Sequence, residues 1–586
     1  MKLKPAGKLA ISLIVIAVIA AVLYFVPAVR AVIAPSKPTA EAVVPTVAPQ
    51  PGQALAAVAD PGAGCTDKPE VRLYHWAWNA QMGLVYATGG KQATADSLMC
   101  RHGVNLKLVR EDNVDAMQAA MVAFAEASKS EPNPSAGAHM VAIMGDGSAS
   151  FLKGLNDNLS KLGPEYTAVV VGSAGYSRGE DKFMGPPTWK ANPQSARGGL
   201  VAGYLRDGDW NIAMKWLGDN AIPNNPDETT WDPNALNWVN ASDYIDAAQK
   251  YVSGYCTDLK NVKTGKAEKH CVDAVVTWTP GDVTVATEKG GLISIVSTLE
   301  YRSQMPNVII GNKKWMSEHR DLVEGMLTAI FEGGDAVKAD DAALKRAAAL
   351  SAVVYGEKDA DYWYRYFTVQ RQKDKQGLEV ELGGSAVNNL ADNLQLFGLA
   401  PGSTNLFAAT YTVFGQIVVQ QYPQLVPEIY AVDRILDTSY VEGVAKQAGA
   451  KIGVADVATF TSAQKVDQVV SRRAWDIQFQ SGAASFTPKT EAELEALFNE
   501  LVVAGGTLVE IHGHTDNQGG LDKNQQLSED RAFAVKSWLE QKSPSNFPPG
   551  RVRVFAHGMT EPVAPNGTPE GRAQNRRVEI VLGTST

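Results

Sequence analysis

The chain has 586 residues, of which 45% are apolar and 20% charged, and a formal net charge of −9 at neutral pH. That length exceeds what one hydrophobic core serves, so roughly two to four domains are expected. The acidic balance argues against a nucleic-acid partner, and the sequence shows neither an internal repeat nor a long run of like charge.

Lys2, Lys4 and Lys8 precede an apolar run from Leu9 to Val29, broken only by Ser12. About 20 residues at 1.5 Å each cross roughly 30 Å of hydrocarbon. Lysines mark the cytoplasmic side. Residues 1–32 are therefore expected to be a cytoplasmic stub and a single inner-membrane helix, with the bulk of the chain in the periplasm. The alternative is a signal peptide cut near Ala28 or Ala31, but the apolar part of such peptides spans about 7–15 residues. Residues 33–64 are rich in Pro, Ala and Val without a period. They read as a linker that would reach roughly 90 Å at ~3.1 Å per residue.

Four cysteines follow: Cys65, Cys100, Cys256 and Cys271. Their spacing fits no zinc pattern, and an even count in an exported chain reads as disulfides. Cys65–Cys100 and Cys256–Cys271 is the local pairing, which spacing alone does not establish.

From about residue 65 to 435, strand-like and helix-like segments alternate. "VRLYHWAWN" (71–79), "VNLKLVRED" (104–112) and "YTAVVVGSAG" (166–175) read as strands. "DAMQAAMVAFAEA" (115–127), "DYIDAAQKYVSGYC" (243–256) and "RDLVEGMLTAIFEGGDAV" (320–337) read as helices. Such alternation predicts parallel sheets with ligand sites at the strand C-termini. Candidate contacts are Trp76, Trp78 and Asn79 after the first strand and Thr277 with Trp278 after a later one. Gly147, Ser148 and Ala149 of "GDGSAS" fall at a helix N-terminus, where free N–H groups favour an anion. Arg197 either pairs an anion or is simply solvated. The aromatics serve equally as core.

The opening "VRLYHWAWNAQMGLVYATGG", the strand "GVNLKLV", "DAVVTWTPGDVTVA" and the late run "NVIIGNKKWMSEHRDLVEGMLTAIFEG" resemble periplasmic solute-binding proteins of the nitrate/taurine/thiamine-precursor type. The resemblance implies an α/β two-lobe periplasmic binding protein fold closing on a small solute at a hinge, and an ABC-transporter permease as a possible partner. Phosphate, other oxyanions, amino-sulfonates and heterocycles are all candidate solutes. The cysteine-rich motif of related thiamine-pyrimidine synthases is missing, as are the usual hydrolase, phosphate-loop and metalloprotease motifs. No enzyme activity, cofactor or metal is expected.

Residues 436–472 read as a helical or irregular connector. From 473 the pattern becomes β-α-β-α-β-β, with "AWDIQFQSG", "TLVEIHGHTD", "RVRVFAHG" and "NRRVEIVLG" as strands, a compact α+β sandwich. In "GGLDKNQQLSEDRAFAVKSWL" the apolar face traced by Leu527, Ala534, Val535 and Trp538 also carries Arg531, and a charge there needs a partner. The motifs G-H-T-D, N-x-x-L-S-x-x-R-A and G-R-A-x-N-R-R-V-E, within residues 473–586, resemble the OmpA C-terminal domain family, which binds peptidoglycan. In that family the motif aspartate and arginine clamp the diaminopimelate of the stem peptide. The matching residues here are Asp516 and Arg531, with Thr515 and Asn524 adding hydrogen bonds; Arg577 or its neighbour Arg576 either reaches the ligand or serves the structure. Diaminopimelate ends in an ammonium and a carboxylate on one carbon, and a carboxylate beside a guanidinium is its complement. An internal Asp516–Arg531 salt bridge is the structural alternative. His512 and His514 read as structural. Flagellar stator subunits also join one span to such a domain, but carry an aspartate in the span, and residues 9–29 contain no acid. The sequence thus predicts a membrane-tethered envelope protein that holds the wall and a solute. Its alternatives are a wall-anchored delivery protein for a transporter and a scaffold whose binding domain has no ligand.

Overall fold

The computed structural model describes residues 55–206, 208–449 and 452–585. The expected span Leu9–Val29 and most of the linker lie outside the described residues, among which no helix is long and apolar enough to cross a membrane.

The first lobe is opened by β1 (Glu70–His75), β2 (Asn105–Arg110), β3 (Met140–Met144) and β4 (Ala168–Ser177). The chain then crosses to a second lobe. There it forms β5 (Lys182–Gly185), β6 (Leu200–Gly203), β7 (Thr230–Trp231), β8 (Asn237–Asn240), β9 (Cys256–Asn261), β10 (Ala267–Cys271), β11 (Ala274–Thr277) and β12 (Ile293–Ser297). It returns as β13 (Pro306–Asn312), extends a hairpin of β14 (Gln370–Lys373) and β15 (Glu379–Leu382), and closes the first sheet with β16 (Ser385–Val387). The two main sheets run in the orders β16-β4-β13-β3-β1-β2 and β12-β5-β11-β6-β8. β1 lies parallel to β2 and β3, whereas β13 is antiparallel to β3 and β4. Every residue of β3 and β4 is buried, as expected of strands covered on both faces. This is a two-lobed α/β fold.

Both disulfides take the local pairing. Cys256 and Cys271 sit directly opposite each other on β9 and β10, 3.9 Å apart at Cα, and Cys65 joins Cys100 at 5.7 Å.

The two interlobe crossings, after β4 and after β12, are tied together. The hydroxyls of Ser177 and Thr298 lie 2.6 Å apart, and the Gly179 N–H donates to Thr298 Oγ1 at 2.7 Å.

The C-terminal domain is a four-stranded sheet in the order β17-β20-β18-β19, formed by β17 (Gln468–Trp475), β18 (Leu508–His514), β19 (Val552–Gly558) and β20 (Val578–Thr584). Helices Glu491–Val503 and Leu521–Lys542 connect β17 to β18 and β18 to β19. Two details differ from the sequence reading. β17 starts at Gln468 and ends at Trp475, because its partner β20 runs out at Val578, opposite Trp475. A short helix, Pro569–Asn575, precedes β20. Within the expected connector, helix Ser439–Ala448 buries Tyr440, Val441 and Val444 and packs against helix Arg320–Ala339 of the first lobe.

The domain is docked on the second crossing. Ser303 N–H donates to Val503 O and Gly506 N–H to Glu300 O, both at 3.1 Å. Beside them Lys215, buried in the second lobe, bridges its own Asp219 and Glu500 of the C-terminal domain, while Tyr301 OH donates to Asp219 at 2.8 Å. Asp456 joins Arg302 at 2.6 Å and Arg178 at 3.4 Å. Burial raises its pKa, but the two guanidiniums outweigh burial and hold it at about 2.

Two outcomes follow from this docking. A Cβ at Gly506 would lie 1.8 Å from Leu299 O, so Gly506→Val should release the C-terminal domain without unfolding either part, read as a larger radius of gyration and new proteolysis between residues 450 and 467. The carboxylate of Asp456 is held below its unfolded value, so its contribution is complete above about pH 4 and is lost as pH falls through about 2. Asp456→Asn should therefore reduce thermal stability at pH 7 and make little difference near pH 2.

Candidate functional sites

The first site lies where β18 runs into helix Leu521–Lys542. That helix crosses close over the strand, because Gly513 faces Ser528 O at a place where a Cβ would lie 2.1 Å away. Its buried residues are Asn524, Ser528, Arg531, Ala532, Val535 and Leu539. Leu527, Ala534 and Trp538 lie at the edge of this face, half-buried. Arg531 does sit on the inner face, only 6% exposed. Its Nε donates to Ala483 O at 3.1 Å and its guanidinium lies 5.0 Å from the Phe479 ring centre. No hydrogen bond to a described residue engages its two terminal nitrogens. Burial and the charge of Arg576 lower its pKa, and Asp516 opposes that shift.

Asp516, 8% exposed, accepts from Arg576 Nη1 at 2.6 Å and from the Gln518 N–H at 2.9 Å. The structural alternative of an Asp516–Arg531 salt bridge is thus not what forms. Thr515 Oγ1 is buried without a partner. Asn524 Nδ2 donates to Gln518 O at 3.2 Å and so braces the loop carrying Asp516. Arg577, expected at the ligand, turns the other way: its Nε donates to Glu579 Oε1 at 2.6 Å and its Nη1 to Glu561 O at 3.2 Å. Adjacent residues entering a strand face opposite sides, so Arg576 takes the site and Arg577 the sheet. The result is one carboxylate, two guanidiniums and a free hydroxyl.

On the neighbouring strands His512 Nδ1 lies 2.8 Å from His557 Nε2, and His557 Nδ1 lies 2.9 Å from Glu561. His514, His557 and Glu561 are close enough together to ligate a metal, and His557 would give up one of those two contacts to do so. Burial lowers the His514 pKa to about 4.

The second site is the seam between the lobes. β1 ends at His75, and Trp76, Trp78 and Asn79 follow it, all buried. Trp278, after β11, faces Trp76 across the seam, with ring centres 6.2 Å apart and planes 26° apart, and Tyr244 stacks on Trp278 at 3.6 Å. Thr277 turns its hydroxyl to Tyr244 O at 3.2 Å. Trp78 packs inward and its carbonyl accepts from Tyr355 OH.

Two expected contacts do not join this seam. Arg197 is engaged within the second lobe by Gln194 Oε1, Asn234 O and Ala221 O, which gives each guanidinium nitrogen a partner. At the Gly147–Ser148 turn, Ser148 Oγ donates to Gly145 O, and the turn carries its own buried carboxylate, Asp146, which accepts from Gln304 at 2.7 Å. Both features count against an anion there.

The seam holds residues that the sequence reading passed over. Glu180 and Asp181 lie on the first crossing, both fully buried. Burial, with the charge of Asp181, pushes the Glu180 pKa well up, and burial pushes Asp181 to about 6. The only sequence signal was "GEDK" between two apolar strands.

The C-terminal region carries an OmpA family domain: the profile of that family matches residues 478–576. Among curated proteins, a probable lipoprotein YiaD of Escherichia coli is 35% identical over 116 residues, 20% of this chain and 52% of that protein. The peptidoglycan-binding protein ArfA of Mycobacterium tuberculosis is 36% identical over 106 residues, 18% of this chain and 32% of that protein. The chain thus spans about half or less of these relatives. Among solved structures, the periplasmic nitrate-binding protein NrtA of Synechocystis PCC 6803 aligns with 66% of this chain and 92% of its own at 8% identity, with a TM-score of 0.46.

The two adjacent arginines should separate in stability measurements. Arg577→Ala takes the closer guanidinium from the poorly exposed Glu579, leaving it the more exposed Arg472 at 3.2 Å, and should cost about 2 kcal/mol in denaturant unfolding. Arg576 is 44% exposed, and Arg576→Ala should cost less than about 1 kcal/mol.

Proposed function

We propose that this is a periplasmic protein that binds peptidoglycan through its C-terminal domain and a small solute between the lobes of its first domain. The observation that carries the first half is the cluster of Asp516, Arg531, Arg576 and Thr515. The carboxylate of Asp516 matches an ammonium, the two unengaged nitrogens of Arg531 match a carboxylate, and Thr515 supplies a hydroxyl. An ammonium and a carboxylate on one carbon, as at the end of diaminopimelate, meet all three. Arg576 would yield Asp516 to the ligand ammonium and turn to its carboxylate. The similarity to peptidoglycan-binding ArfA and to the OmpA family supports this reading.

The run Leu9–Val29 would hold such a protein in the inner membrane, with the Pro-rich linker giving it reach to the wall. The lobed domain supports solute capture, which serves a sensor and an ABC permease alike. Phosphate is disfavoured as that solute, because Lys182, the buried cation of the seam, is already held by Asp282 at 2.6 Å.

In co-sedimentation with purified diaminopimelate-type peptidoglycan, the wild-type chain should pellet and free meso-diaminopimelate should release it. Asp516→Ala and Arg531→Ala should each lower the affinity at least ~30-fold, since each removes a charge-assisted contact worth about 2 kcal/mol or more. Retention of wild-type pelleting by both variants would refute the assignment.

A further inference from the structure

We infer that the solute held between the lobes is a small organic ammonium compound, with its cationic nitrogen against Glu180 and Asp181 and its body against Trp76, Trp278 and Tyr244. The inference rests on the solute-capture reading and adds the charge and the class of the solute.

Charge is the first argument. Glu180, Asp181 and Asp282 are all fully buried around one basic group, Lys182, itself 1% exposed. Lys182 is already committed: its Nζ donates to Asp282 at 2.6 Å and to Glu381 O at 2.9 Å. Glu180 receives a single hydrogen bond, from the Ser385 hydroxyl, and its Oε1 is buried with no partner. Two adjacent acids in a dry seam are unfavourable unless a cation joins them or they take up protons. Their raised pKa values show how unfavourable the charged forms are without such a cation.

The second argument is independent of the acids. Asn79 is fully buried, and neither its amide oxygen nor its amide nitrogen has a partner. The turn that carries it, Asn79–Gln81, packs against β4 and β16, which lead to Glu180 and carry Ser385. The indole N–H groups of Trp76 and Trp278 and the hydroxyl of Tyr244 are also buried without partners. Buried polar groups are nearly always bonded, and each one left over costs roughly 1–3 kcal/mol. Here they come from both lobes, and the rings of Trp76, Trp278 and Tyr244 stack on one another across the seam. Donors from indole and amide suit an oxygen or carboxylate on the solute, while the rings and acids suit its nitrogen. Nitrate, phosphate and sulfate satisfy the donors but leave the acids unmatched.

The test titrates the purified full chain with choline, ethanolamine, putrescine and glycine betaine, and separately with nitrate, phosphate, sulfate and methanesulfonate. Thermal stability and tryptophan fluorescence are recorded. At least one ammonium compound should raise Tm and change the emission, with no response to the anions. Glu180→Gln should weaken that binding at least tenfold while co-sedimentation with peptidoglycan is unchanged. Asp181→Asn should do the same, and stands in if the first variant does not fold. A response to an anion and to no ammonium compound would overturn the inference and leave solute capture intact. Silence toward both sets would overturn both, and wild-type affinity in the two variants would overturn the role of the acids.

Discussion

The paired crossings between the lobes are the constraint on which the other features depend. At one point in the chain the Ser177 and Thr298 hydroxyls meet, and both crossings are held there. The seam acids Glu180 and Asp181 lie on the first crossing. The second crossing, two residues beyond Thr298, accepts the C-terminal domain through Glu300 and Ser303. A hinge is the part of a two-lobed protein that changes when the lobes open. Here that part is in contact with the C-terminal domain, so the interlobe crossings and the docking of that domain share backbone.

The protein handles buried charge in three different ways, and the contrast marks its sites. Lys182 with Asp282, and Lys215 with Asp219 and Glu500, are matched by opposite charges. Arg551, 1% exposed, has no carboxylate and donates to the carbonyls of Thr507, Asn546, Leu501 and Ala504 instead, with burial lowering its pKa to about 9. These groups are satisfied and hold the fold. Arg531 and Glu180 are buried with atoms left over. Both lie where elements from different parts of the chain converge. Uncompensated charge at such a point is a cost to the empty protein that a ligand of opposite charge removes.

Much of this was legible in the sequence, for local reasons. Apolar runs and alternation placed β1, β2, β4, β18, β19 and β20 to within a few residues, since side-chain period follows backbone geometry. Arg531 stood out because a charge on an inner helix face contradicts its surroundings, and it is found on that face. The local cysteine pairing is the one that forms, because β9 and β10 make a hairpin. What the sequence could not determine was which of two neighbours turns toward a site and which distant residues meet. Arg576 and Arg577 are equivalent in composition, and only the register of β20 sends one to Asp516 and the other to Glu579. Arg197 had the chemistry of an anion contact, but the folding of its own lobe engages it. Glu180 and Asp181 do not stand out in the sequence, because acids between two apolar strands are normally exposed. Only the closing of one lobe on the other takes the water away, and burial is a property of the assembled fold.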